Sequence, residues 1–199
     1  MNGYFYIALI VVCLLFLPYV RIFCKRIGLY LRLRRICRKR NFRLQGTHFG
    51  WLFSPWWYKR CDFVVYGDHT IYPVKLFASK SKTRKLVFMQ NGSFYWVKCF
   101  VLMSRGIPTL AQMEIPLKPR KLPEYDFSVE ADPWSTDLYK PVLLVHPICH
   151  EFRREYVEMN AKKTELLGSW ERLGHLYLCS SARFLDELET YDHQKYIYR

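Results

Sequence analysis

The chain has 199 residues, 51% hydrophobic and 18% aromatic, enough for one membrane segment and one small domain and too apolar for a disordered chain. Its net charge of +14 sits at one end: residues 1–61 hold 12 Lys/Arg and no acid, whereas residues 62–199 hold 19 Lys/Arg against 17 Asp/Glu, a net of +2. Seven cysteines, an odd number with no CxxC pair, argue against a disulfide framework and for reduced thiols in a cytoplasmic setting.

Tyr4–Val20, YFYIALIVVCLLFLPYV, runs 17 residues without a charge. Ile22 and Phe23 extend its apolar reach past Arg21, whose long side chain can snorkel. A helix of about 20 residues crosses a hydrocarbon core with its backbone satisfied. The leader carries no side-chain charge and no small-residue cleavage site follows, so residues 1–23 read as a permanent transmembrane anchor.

Arg21, Lys25, Arg26, Arg32, Arg34, Arg35, Arg38, Lys39, Arg40 and Arg43 follow the span. Positive flanks stay in the cytoplasm, which predicts a single-pass protein of the cell membrane with its N-terminus outside and its C-terminal domain cytoplasmic. The same ten residues are candidates for lipid or phosphate binding, because each basic residue adds about 1 kcal/mol near an anionic surface. Ile27, Leu29, Leu31, Leu33 and Ile36 interleave with them, some at helical spacing, so a helix continuing along the interface is expected. A plain topology signal and nucleic-acid contact are the competing readings. Cys24 and Cys37 are candidates for acylation or are inert thiols.

Residues 24–60 form a basic and aromatic juxtamembrane segment. Phe42, Phe49, Trp51, Phe53, Trp56, Trp57 and Tyr58 suit a headgroup zone, base stacking beside Lys59 and Arg60, or a share in the domain core. Pro55 argues against one long helix through this stretch.

Residues 61–199 change period. CDFVVY and TIYPVKLF read as strands around a Gly-Asp-His turn, with Ile71, Pro73 and Lys75 on one face and Tyr72, Val74 and Leu76 on the other. KLVFMQ and FYWVKCFVLM read as a hairpin around Asn91-Gly92. The four strands are expected to form one antiparallel meander. Residues 115–134 carry four prolines and read as a connecting loop. VLLVHP, within 142–147, reads as a strand buried on both faces. EFRREYVEMNAKK reads as a short helix or an excursion, TELLGSW and GHLYLC as strands, and SSARFLDELETY as a helix capped by Ser180 or Ser181. The expected class is mixed α/β, a small mixed sheet of about five to seven strands with a C-terminal helix.

The hairpin CDFVVYGDHTIYPVKLF resembles metal-dependent nucleases of the PD-(D/E)xK type, and the order of elements over roughly 60–190 is similar to the nuclease-related domain. The resemblance implies Asp62 as the first metal carboxylate and Lys75 as the lysine that helps activate water beside Mg²⁺. It departs at Pro73, which stands where the second carboxylate belongs and cannot ligate a metal. Pro73 also lacks a ladder donor, which suits an edge strand better than a central one. Asp68 is a substitute only if the turn bends back. His146, Cys149 and His150 in HPICHEF are further metal candidates, lacking a fourth ligand. No cofactor is expected outside the nuclease reading.

The sequence therefore predicts a membrane-anchored protein with a non-catalytic domain that binds anionic lipid or a protein partner. A membrane-associated nuclease and a membrane tether for nucleic acid are the alternatives.

Overall fold

The computed structural model describes residues 3–48, 50–78, 84–104, 107–128, 138–146, 151–159 and 161–190. Among the described residues the fold is mixed α/β, with two helices and two sheets in three layers. Helix α1 (Gly3–Arg40) runs without interruption from the uncharged N-terminal stretch into the domain. It ends at Asn41, which adopts φ 58°, and Phe42 N–H bonds back to the Cys37 carbonyl.

The chain then forms an antiparallel run, β1 (Arg43–Gly46), β2 (Phe63–Tyr66) and β3 (Thr70–Ala78). Between β1 and β2 a 3-10 turn at Trp51–Phe53 packs back on α1. Phe23 stacks on Phe53 with ring centroids 4.8 Å apart, and Tyr30 meets Trp51 edge-on at 5.5 Å. The Trp51 indole lies where a Cβ on Gly46 would sit, 2.6 Å away, so this approach requires glycine.

The expected meander does not form. β4 (Arg84–Met89) and β5 (Ser93–Ser104) pair as the Asn91-Gly92 hairpin, with Gly92 at φ 74°, but they belong to a second sheet. β6 (Ile107–Pro116) and the two-residue β7 (Arg120–Lys121) add to β5. The stretch 115–134 is thus not a plain loop, since Tyr125 and Phe127 also enter the core. β8 (Leu138–Tyr139) and β9 (Val142–His146) return to the first sheet, both parallel to β3.

Next, β10 (Glu151–Glu158) and β11 (Ala161–Leu167) form a hairpin in the second sheet, where a helix or excursion was expected. Charges that face each other across the hairpin, Arg154 opposite Glu165 in register and Lys162 paired with Glu155, hide the alternation that normally marks a strand. β12 (Glu171–Leu173) and β13 (Leu176–Ser180) complete the first sheet, and α2 (Ser181–Thr190) closes the described chain. The Ser180 hydroxyl accepts from Arg183 N–H at 3.4 Å, the expected N-cap.

The first sheet has the order β1-β2-β3-β9-β13-β12 and the second β11-β10-β4-β5-β6. One core lies between the sheets, including Ile71, Phe77, Leu86, Phe94, Leu143 and Leu178. A second lies between the first sheet and the helices, where Leu29, Leu33, Ile36 and Cys37 of α1 and Phe184 and Leu188 of α2 meet Tyr72, Val74, Val142 and Leu144. β9 is therefore buried on both faces, as its uninterrupted apolar sequence predicts.

β3 is central, although it contains Pro73. β3 pairs with β8 through Thr70 and Ile71 and with β9 from Val74 onward, so Pro73 falls at the break between the two partner strands. The missing amide donor lands where the ladder is already interrupted, which is how a central strand accommodates proline here.

Candidate functional site

Asp62 and Lys75, the two residues that carry the nuclease resemblance, are brought together. The register Phe63↔Val74 continues one step outward and sets Asp62 opposite Lys75. Lys75 Nζ lies 3.0 Å from Asp62 Oδ1, and both side chains are 0% exposed. The other carboxylate oxygen, Oδ2, accepts Leu76 N–H at 2.8 Å.

The ammonium is saturated. Its three donors meet Asp62 Oδ1, the Arg60 carbonyl at 3.1 Å and Ser54 Oγ at 3.3 Å. The rings of Tyr58 and Tyr125 stand 5.3 and 5.8 Å from it. Burial lowers the Lys75 pKa, and the adjacent Asp62 charge opposes that shift. Burial likewise lowers Arg26, opposed by the same carboxylate. Cys61, next to Asp62, is buried and its thiol is pushed up to about 11, first by burial.

Arg26 is the member of this cluster that the sequence reading placed elsewhere. Counted with the lipid-facing belt, it is instead 3% exposed, and its guanidinium donates to the Trp51 carbonyl at 3.0 Å. The signal was in the spacing: Arg26 precedes Leu29 and Leu33 on the stripe that α1 buries. The cluster thus holds two cations and one carboxylate. Arg26 ties α1 to the Trp51–Phe53 turn, and Lys75 ties Ser54, just after that turn, to the β2–β3 hairpin.

The arrangement is that of a clasp. A metal site needs carboxylate oxygens facing a cavity, and here each oxygen of Asp62 faces a protein donor. Asp68 stays exposed in the turn beyond β2 and joins nothing at this cluster. His146 is equally committed: Nδ1 lies 2.9 Å from Ser181 Oγ and Nε2 lies 3.1 Å from the Lys25 carbonyl. With both ring nitrogens engaged, it bridges α1 and α2. Cys149 and His150 lie outside the described residues. Among the described residues no group of three metal-ligating side chains converges.

The remaining basic belt divides by exposure. Lys25, Arg32, Arg34, Arg35, Arg38 and Lys39 are exposed on α1, opposite the stripe buried against the sheet. Arg40 is half-buried and donates to the Glu189 carbonyl of α2. Arg43 stands over the Tyr66 ring at 5.6 Å and lines a cavity of about 470 Å³ with Gln45, Thr47, Arg60 and Ser128. The Arg21 side chain lies outside those described. Cys24 is exposed, whereas Cys37 is 2% exposed in the helix–sheet core, so only Cys24 of the two acylation candidates is accessible.

Among the described residues no helix is long and apolar enough to cross a membrane. Fold and site together define a two-sheet α/β protein with a long N-terminal helix and a closed buried ion-pair cluster. Comparison with protein families, curated proteins and solved structures finds no match to this chain.

Proposed function

We propose that this is a single-pass membrane-anchored protein whose non-catalytic α/β domain faces the cytoplasm and binds a partner or an anionic lipid surface. The observation that carries this reading is the continuity of α1. One helix from Gly3 to Arg40 contains the uncharged run Tyr4–Val20, whose side chains mostly fall outside those described, and then packs Leu29, Leu33 and Ile36 into the domain. A helix that is anchor at one end and core at the other holds the domain at the membrane surface with no linker.

Aromatic placement supports the same reading. The Phe23–Phe53 stack brings the Trp51–Phe53 turn to the level of α1 where the charges begin. Phe53 is 49% exposed there, in the zone that aromatic side chains favour at a bilayer interface. The closed, saturated Asp62–Lys75 pair weighs against a metal-dependent nuclease.

Protease protection tests the reading. In intact cells the domain should resist external protease and the protein should stay in the membrane pellet after alkaline extraction. Digestion of the domain from outside, or release by alkali, would sink it.

A further inference from the structure

We infer that the outer face of α1 beyond the membrane surface is a docking strip for the phosphate backbone of a nucleic-acid duplex. The inference rests on the reading of Tyr4–Val20 as a membrane span.

Height is the first step. At about 1.5 Å per residue, Lys25 stands roughly 7 Å beyond Val20, within the headgroup layer, whereas Arg34 stands roughly 21 Å and Lys39 roughly 28 Å beyond it. Electrostatic attraction is screened over about 8 Å at physiological salt. A tilt of about 20° shortens these heights by only a few per cent. One helix runs from Gly3 to Arg40, so on the span reading its distal half leads away from the bilayer. Lipid thus accounts for Lys25 and not for Arg34, Arg35, Arg38 and Lys39.

Charge is the second step. Those four residues and Arg32 are exposed on one side of the helix, and no acid precedes Asp62 in the chain. Among the described residues the side-chain ion pairs involve Lys75, Lys85, Arg153, Lys162, Lys163 and Arg183, none of them on α1. Among the described residues the strip is a row of cations with no ion-pair partner.

Composition selects the class of polyanion. A protein interface carries an apolar or aromatic centre and is depleted in charge there. This strip offers Leu31 as its one exposed apolar side chain, 55% exposed, among the described residues. Phosphate backbones need only Arg and Lys, and arginine's planar fork suits phosphate oxygens.

The test uses the full chain in nanodiscs of zwitterionic lipid, with fluorescent 20-base-pair DNA and RNA duplexes as probes. Four phosphate contacts predict a slope of log K against log salt near −3.6, so affinity should fall roughly a hundredfold between 50 and 200 mM salt. The R34Q/R35Q/R38Q/K39Q variant should lose that slope, and R34K/R35K/R38K should keep it. No duplex binding by the wild type, or an unchanged slope in the glutamine variant, would overturn the inference. Displacement of the duplex by polyglutamate at equal charge concentration would overturn it in favour of an acidic protein. Failure of the protein to insert into nanodiscs would refute the anchor instead, which separates the two.

Discussion

Asp62→Ala removes the only carboxylate from a cluster of two buried cations. Lys75 Nζ keeps two of its three acceptors, Leu76 N–H loses its partner, and Arg26 loses the charge that opposes its desolvation. Breaking a buried ion pair by removing one partner costs about 3–5 kcal/mol. Counting bonds gives a similar figure, since each of two hydrogen bonds to a charged group contributes about 1.5–3 kcal/mol. Domain stabilities are about 5–15 kcal/mol, so the variant should lose a large share of its stability. Urea unfolding of the full chain in detergent micelles, followed by tryptophan fluorescence, reads the loss as a lower midpoint. The double variant Asp62→Leu/Lys75→Met is the internal control. It removes the unpaired buried ammonium and should be more stable than Asp62→Ala, although Leu76 N–H, Ser54 Oγ and the Arg60 carbonyl lose their partners. A midpoint shift worth less than about 1 kcal/mol for Asp62→Ala would refute the clasp. A shift that small, together with loss of a Mg²⁺-dependent cleavage activity, would favour the nuclease reading instead.

Leu33→Ala should cost about 2–5 kcal/mol, because Leu33 is 0% exposed in the helix–sheet core; an unchanged urea midpoint would mean that α1 is not part of the domain core. Burial lowers the pKa of His146, with Arg26, Lys25 and Arg32 adding to the shift and the Lys25 carbonyl opposing it, and burial lowers His48 as well. The unfolded chain therefore takes up protons first below about 6.5, so stability should fall as pH drops from there toward the folded-state values. His146→Asn should flatten part of that slope in urea midpoints measured from pH 7.5 to 5, and an unaltered slope would count against the buried bridge.

Local signals were legible where neighbours in sequence are neighbours in space. The β2–β3 hairpin, the Asn91-Gly92 hairpin, β9 and the capped α2 all followed from period, turn residues and caps. The second sheet did not, because nothing between β3 and β4 announces that the chain leaves one sheet for the other. The strand character of β10 was masked by its charges, which pair across to β4 and β11: Lys85 of β4 reaches Glu151 at 2.8 Å, and Lys162 of β11 reaches Glu155 at 2.9 Å. Arg26 was misplaced for the opposite reason, since a charge within a basic run reads as surface until its helical neighbours are counted.

The nuclease resemblance itself shows what sequence pattern leaves open. An acid on one strand and a lysine opposite it on the next is the placement a metal site needs. It is also the placement a buried clasp needs, because a cross-strand pair at this register lets Nζ and a carboxylate meet at 3.0 Å. The two differ in what else the groups can reach. In a catalytic pair some donor or acceptor must face a cavity, whereas Lys75 spends all three donors on Asp62, Ser54 and the Arg60 carbonyl. Pro73 fits the same account. On the face it shares with Lys75 it adds no ligand, and along the backbone it stands where β8 gives way to β9 and no donor is required. Packing accounts for each of these features without a metal: the pair closes the β2–β3 hairpin onto the segment Ser54–Arg60 that leads into it.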